Sequence, residues 1–180
     1  MTEDRLAWIE RRLRALEDER NISRLITSYG PLVDAGDADA VAGLWASHGV
    51  YDVEDWIMRG RDEVRAMVNS DPHQGLITRG CCHFFGPAVI TVEEDDAVAV
   101  CESVLLLRRD TGGYQVLRAG VHHFHLRRIG GQWQIVTRTA RTLNGDPEAR
   151  ALLSAGVGGR VRLAADSAPS KPSQATSADR

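Results

Sequence analysis

Between Asp4 and Val33 the apolar residues Leu6, Ile9, Leu13, Leu16, Ile22, Leu25, Ile26, Tyr29 and Val33 recur at mostly three- and four-residue steps among arginines and glutamates. That period predicts a long amphipathic helix, with a break admissible near Asn21. Gly30-Pro31 should weaken its last turn, and Gly36 suits the left-handed residue that ends it. Asp37 is placed to cap a short helix carrying Val41, Leu44 and Trp45, and Asp62 to open another that runs through Val68.

Beyond Thr78 the period shortens to two. Four β-type runs follow, Thr78 to Val92, Ala97 to Arg108, Tyr114 to Arg128 and Trp133 to Leu143, with a shorter strand expected over Val50 to Val53. The breaks between them, Glu93 to Asp96, Asp110 to Gly113 and Gly130-Gly131, are short, so the runs should form an antiparallel meander. Gly86-Pro87 interrupts the first run and predicts a bulge or bend there. A last short helix is expected from Asp146-Pro147 to about Leu153. Helices first and sheet second is the α+β pattern, and long strands must curl, so the expected fold is a cone-shaped curved antiparallel sheet packed on N-terminal helices around an apolar pocket.

Composition narrows the setting. A chain of 180 residues with 43% apolar and 26% charged positions has room for one core, placed here over 1–155. The remainder, 156–180, reads as a tail that is disordered from about 164, where Ser, Ala, Pro and Gln replace apolar residues. A net charge of -3 offers no basic stripe for nucleic acid. No run reaches the roughly 18 to 20 apolar residues of a membrane span, and the charged first turns are unlike a signal peptide, so a cytoplasmic protein is expected. Three cysteines with an adjacent pair, Cys81-Cys82, fit reduced thiols.

Three residues carry the candidate chemistry. Asp34 ends the long helix, where the macrodipole disfavours a carboxylate and calls for a partner, although a solvated loop acid is the plainer reading. His83 sits in the strand segment Cys-Cys-His-Phe-Phe, so its ring needs a hydrogen-bond partner, which a backbone carbonyl could supply without any chemistry. Tyr29 rides the buried helix stripe and brings a hydroxyl that could reach a cavity. On the last strand, alternation places Arg141 on the face of Trp133 and Ile135 and turns Arg138 the other way, which makes Arg141 the pocket candidate. His122 falls with Phe124 and Leu126 on the more apolar face and should line the cavity, together with Trp56 and Phe85. His123 and His125 share the opposite face, but no carboxylate or cysteine stands at a familiar metal-site spacing, so neither metal nor cofactor is expected.

In order and spacing the chain resembles the SnoaL-like branch of the nuclear transport factor 2 superfamily. The likeness rests on Ile22 to Tyr29, Asp34 before Ala40 to Trp45, the CCHFFGP segment around His83, and Gly130 to Trp133 leading to Arg141. Within that superfamily it looks most like bile-acid dehydratase, and less closely like hexachlorocyclohexane dehydrochlorinase and scytalone dehydratase. The resemblance implies a cofactor-free elimination site in which His83 and Asp34 form a basic dyad assisted by Tyr29 and Arg141, with Cys81 beside the histidine as a substrate-binding residue. It departs where the bile-acid enzyme's second carboxylate falls in the apolar run Val104 to Leu107.

The expected function is therefore a lyase or isomerase acting on a hydrophobic, polycyclic or steroid-like small molecule. A non-catalytic carrier and the structural small subunit of a ring-hydroxylating dioxygenase are the alternatives on the same fold. Apolar residues on the outer sheet face further predict a homodimer or homotrimer.

Overall fold

A computed structural model describes residues 2–162, with the exception of 55. The expected tail from about 164 lies outside the described residues. Helix α1 spans Thr2–Asp34 without a break at Asn21, and Pro31 is accommodated inside its last turn. Gly36, at φ +72°, stops it. Helix α2, Ala38–Gly43, is capped as expected, the Asp37 carboxylate accepting from the Ala40 N–H at 3.0 Å. Strands β1 (Trp45–Val53) and β2 (Trp56–Arg59) form a hairpin, followed by α3 (Gly60–Val68) and α4 (Asp71–Arg79). Strands β3 (Cys81–Phe85), β4 (Val89–Glu93), β5 (Asp96–Arg108), β6 (Tyr114–Ile129) and β7 (Gln132–Thr142) complete the sheet, and α5 (Pro147–Val157) closes the described chain.

The last four strand segments form the expected antiparallel meander. The run read as one strand from Thr78 to Val92 resolves differently. Its first residues end α4, and Gly86-Pro87 divides the rest into β3 and β4, which pair in succession with the long β5. Proline cannot donate to the ladder, so pairing stops there and resumes at Val89. The strand order is β2-β1-β7-β6-β5-β3, with β1 parallel to β7 and every other pair antiparallel.

This curved sheet wraps the C-terminal half of α1. Ile22, Ile26, Tyr29 and Val33 pack on Trp45, Phe124, Leu126 and Ile135 in one buried cluster, each large side chain contributing about 1.5–3 kcal/mol of burial. A second, smaller cluster lies on the outer face, where Ala149 and Leu152 of α5 cover Val100 and Val121. The first residue of α1 to dock is Asp18, whose carboxylate accepts from Trp133 Nε1 at 3.1 Å and from Arg128 at 2.7 Å. No helix among the described residues is long and apolar enough to cross a membrane.

A single irregularity on β7 sets up the site. His125 pairs with Thr137 and Leu126 with Ile135, so Val136 is an extra residue in the ladder. Such a bulge reverses the in-out alternation beyond it. Trp133 and Ile135 face the core before the bulge, whereas Arg138 and Ala140 face it afterwards.

Candidate active site

Helix α1 and strand β3 meet at unusually close range. A methyl group on Gly30 would fall 2.2 Å from the His83 carbonyl oxygen, so only glycine lets the helix lie against that strand. One turn later Asp34 consequently reaches across. Its Oδ2 accepts from the His83 backbone N–H at 2.8 Å, and its Oδ1 stands 2.5 Å from His83 Nδ1. Oδ1 also accepts from the Cys81 thiol at 3.3 Å. Three donors from β3 thus offset the unfavourable end of the helix dipole.

The pair fixes the imidazole. With the carboxylate accepting, Nδ1 carries the proton and Nε2 presents its lone pair, a role that only the neutral ring can fill. Burial lowers the His83 pKa below the ordinary imidazole value, outweighing the opposite pull of Asp34. Burial, then the nearby carboxylate, pushes the Cys81 thiol up to about 12, so it remains a protonated donor. Asp34, Cys81 and His83 are the one group with converging metal-type donor atoms among the described residues, and the hydrogen bonds above account for all three.

His83 opens onto a partly open cavity of about 440 Å³ that lies between the inner sheet face, α1 and α4. Tyr29, Tyr51, Phe85, Met58 and Leu105 supply much of its wall, and Trp56, 53% exposed, stands at its rim. Burial raises the Tyr29 pKa, with the Tyr51 hydroxyl acting in the same direction and Arg138 against it, so the phenol stays an O–H donor.

Arg138 is the buried cation of the cavity wall, which Arg118 also lines. It is 1% exposed, its guanidinium carbon lies 3.9 Å from the Tyr29 ring centroid and 4.4 Å from that of Tyr51, and no carboxylate pairs with it among the described residues. Aromatic faces therefore carry much of its charge compensation. Its Nη2 lies 3.1 Å from His122 Nδ1, and its Nη1 has no partner. Since arginine can only donate, His122 Nδ1 must accept, which puts the ring proton on Nε2, 2.7 Å from Ser103 Oγ. Ser103 Oγ accepts a hydrogen bond from that N–H and keeps its own O–H for the cavity it lines. Burial, then the Arg138 charge, holds His122 well below the ordinary imidazole pKa, consistent with this neutral form.

The residues singled out in the sequence fall as follows. Tyr29, His83, His122, Phe85 and Trp56 line the cavity, Asp34 stands behind His83, and Cys81, expected to touch substrate, is instead off the cavity wall with its thiol turned to Asp34. Arg141 does not belong to it. The bulge at Val136 turns it to the outer face, where it binds both Asp52 oxygens at 2.9 Å and Glu148 at 3.0 Å. Arg138 takes the inner position that alternation had assigned to Arg141. His73, Tyr51 and Ser103 also line the cavity and were not marked by any motif. His123 and His125 are engaged separately, with the Arg160 carbonyl and with Asp96.

The family model of the SnoaL-like domain matches residues 14–139. No curated protein matches the chain. Among solved structures, an NTF2-like protein with a cystatin-like fold from Novosphingobium aromaticivorans is 40% identical, covering 81% of this chain and 94% of its own, with a TM-score of 0.79. A candidate scytalone dehydratase from the same organism is 20% identical over 71% of this chain and 85% of its own, TM-score 0.61. The β subunit of a candidate aromatic-ring-hydroxylating dioxygenase, again from that organism, is 20% identical over 71% and 90%, TM-score 0.59. The two more distant likenesses speak to fold alone; the domain match and the 40% relative place this chain in the SnoaL-like family of the NTF2-like superfamily.

Proposed function

We propose that this protein is a cofactor-independent lyase or isomerase acting on an enolisable, hydrophobic, multi-ring small molecule. The observation that carries the proposal is the 2.5 Å contact of His83 Nδ1 with Asp34, which leaves Nε2 as a proton acceptor toward an apolar cavity. A core histidine needs no second anchor, yet here the carboxylate is itself held by the His83 N–H and the Cys81 thiol. Such an arrangement suits a general base, because the orienting group keeps one tautomer and stabilises the imidazolium once it forms.

In the proposed reaction Nε2 removes a proton from the carbon next to a carbonyl. The electron pair of the broken C–H bond flows into an enolate, whose oxygen is stabilised by the Tyr29 hydroxyl and the Arg138 guanidinium. In a dehydration the pair then forms the C=C bond as the β C–O bond breaks, and the proton on Nε2 passes to the departing hydroxyl to give water. In an isomerisation the same proton returns to a different carbon. A cavity of about 440 Å³ with aromatic walls suits a compact multi-ring ligand, and its low dielectric strengthens each polar contact.

Solvent-deuterium incorporation tests the base directly, without knowledge of the leaving group. A panel of multi-ring ketones is first screened for binding by thermal shift, and binders are then followed by mass spectrometry in D₂O. Exchange at the α-carbon is expected with the wild type, a loss of about 10²–10⁴-fold with His83→Ala, and a large loss with Asp34→Asn. Ligands that bind wild type and His83→Ala equally, with exchange no faster than in buffer, would replace this reading with that of a carrier.

A further inference from the structure

Helix α1 has two faces with different fates. From Asp18 onward it docks on the sheet, but residues 4–17 project beyond the domain, and none of them is buried. At 1.5 Å per residue these fourteen positions extend about 21 Å into solvent. The projecting part nevertheless carries Leu6, Ile9, Leu13 and Leu16, which are 45–60% exposed. Their spacing of three, four and three residues is the a and d pattern of two heptads, with Leu6 and Leu13 at a and Ile9 and Leu16 at d. At 100° per residue this seam lies about 150° around the helix from the stripe Ile22, Ile26, Tyr29 and Val33 that packs on the sheet. The helix's own domain therefore cannot cover it, and another helix can approach without meeting that domain.

The flanking charges choose the occupant. Arg5 and Arg12 fall at g, and Glu10 and Glu17 at e. In two parallel, in-register helices each g residue faces the e residue five positions on in the partner, which pairs Arg5 with Glu10 and Arg12 with Glu17 on both sides of the seam. An antiparallel pair would set arginine against arginine and glutamate against glutamate. Among the described residues, none of these four makes an ion pair within its own chain, so all are available. Arg12 also lies 5.8 Å from the Trp8 ring centroid, which orders it on the flank of the seam. At the next a position Arg20 ends the apolar run.

We infer that residues 4–17 pair with the same segment of a second copy of this chain as a short parallel coiled coil. This interface differs from the outer sheet face suggested by the sequence, where α5 already covers Val100 and Val121.

The test uses the full chain at micromolar concentration by light scattering. The wild type should show at least twice the 19.8 kDa chain mass, and Ile9→Glu/Leu13→Glu should halve the observed mass. Because both positions are exposed, far-UV circular dichroism and thermal midpoint of the domain should be retained. Charge pairing is tested separately: Arg5→Glu/Arg12→Glu and Glu10→Arg/Glu17→Arg should each weaken self-association at least tenfold, and mixing the two should restore it as a heterodimer. Orientation is read from Leu6→Cys, which should cross-link to itself on mild oxidation only in the parallel register. A monomeric wild type, an unchanged mass for Ile9→Glu/Leu13→Glu, or no Leu6→Cys cross-link would overturn the inference.

Discussion

Arg138 and Arg141 lie three residues apart on β7, the first on the inner face of the sheet and the second on the outer. Arg141 is held by both oxygens of the buried Asp52 and by Glu148, so its charge is matched and its donors are used. Arg138 is more deeply buried and has aromatic rings, a neutral histidine and one unused Nη1 in place of a carboxylate. Burying a cation costs several kcal/mol unless it is paired, and a fold that needed only an anchor would do better with the first arrangement or with an apolar side chain. The difference separates a cation whose charge is matched within the structure from one that leaves a single donor, Nη1, without a partner, which suits the role proposed for it at the cavity.

Replacing each arginine by methionine, which keeps length and removes charge, should break this symmetry in opposite ways. Arg138→Met should lower turnover or proton exchange by about 10²–10³-fold, the scale of losing one preorganised donor to a developing oxyanion, while leaving the urea midpoint unchanged or raised. A fully active Arg138→Met would remove the arginine from the proposed chemistry. Arg141→Met should do the reverse. It strands the buried Asp52, so stability should fall by about 3 kcal/mol, with activity per folded molecule within a few-fold of wild type. A stable Arg141→Met with impaired turnover would show that the outer pair acts on the site after all.

The same two arginines mark where the sequence could be read and where it could not. Period-two alternation located β7 and its buried residues, but one bulged residue at Val136 inverts the phase, and valine is as ordinary in a regular strand as in a bulge. The Asp34 and His83 pair was legible through residue type and family likeness together, whereas the device that brings them together, Gly30 against the His83 carbonyl, looked like a mere helix weakener. Helix α4 was not among the expected elements, although Ser70-Asp-Pro and Arg79-Gly80 are usable start and stop signals. In α1 the projecting seam and the docked stripe share one period, and only the fold shows that they lie on different faces.

Acid should expose a smaller contrast between the arginines, through His122. Its ring is buried and accepts from Arg138, and both features hold its folded-state pKa well below the ordinary value, burial first and the arginine second. In the unfolded chain the ring titrates near 6.5. As pH falls through that value the unfolded state takes up a proton that the folded state does not, so stability is intact above about 6.5 and is lost below it. Burial likewise lowers His83 and His123, which add to the same window. Each histidine that stays neutral can contribute up to about 1.4 kcal/mol per pH unit, so urea midpoints should drop measurably between pH 7.5 and 5.5, above the range in which carboxylates dominate. Arg138→Met removes the secondary cause of the His122 shift and should make that drop slightly shallower, while Arg141→Met, which touches no histidine, should leave it parallel to wild type. Equal acid slopes for Arg138→Met and wild type would mean that burial, with the Arg118 charge nearby, keeps His122 neutral without Arg138, and that Arg138 bears on the cavity without setting the protonation of its neighbour.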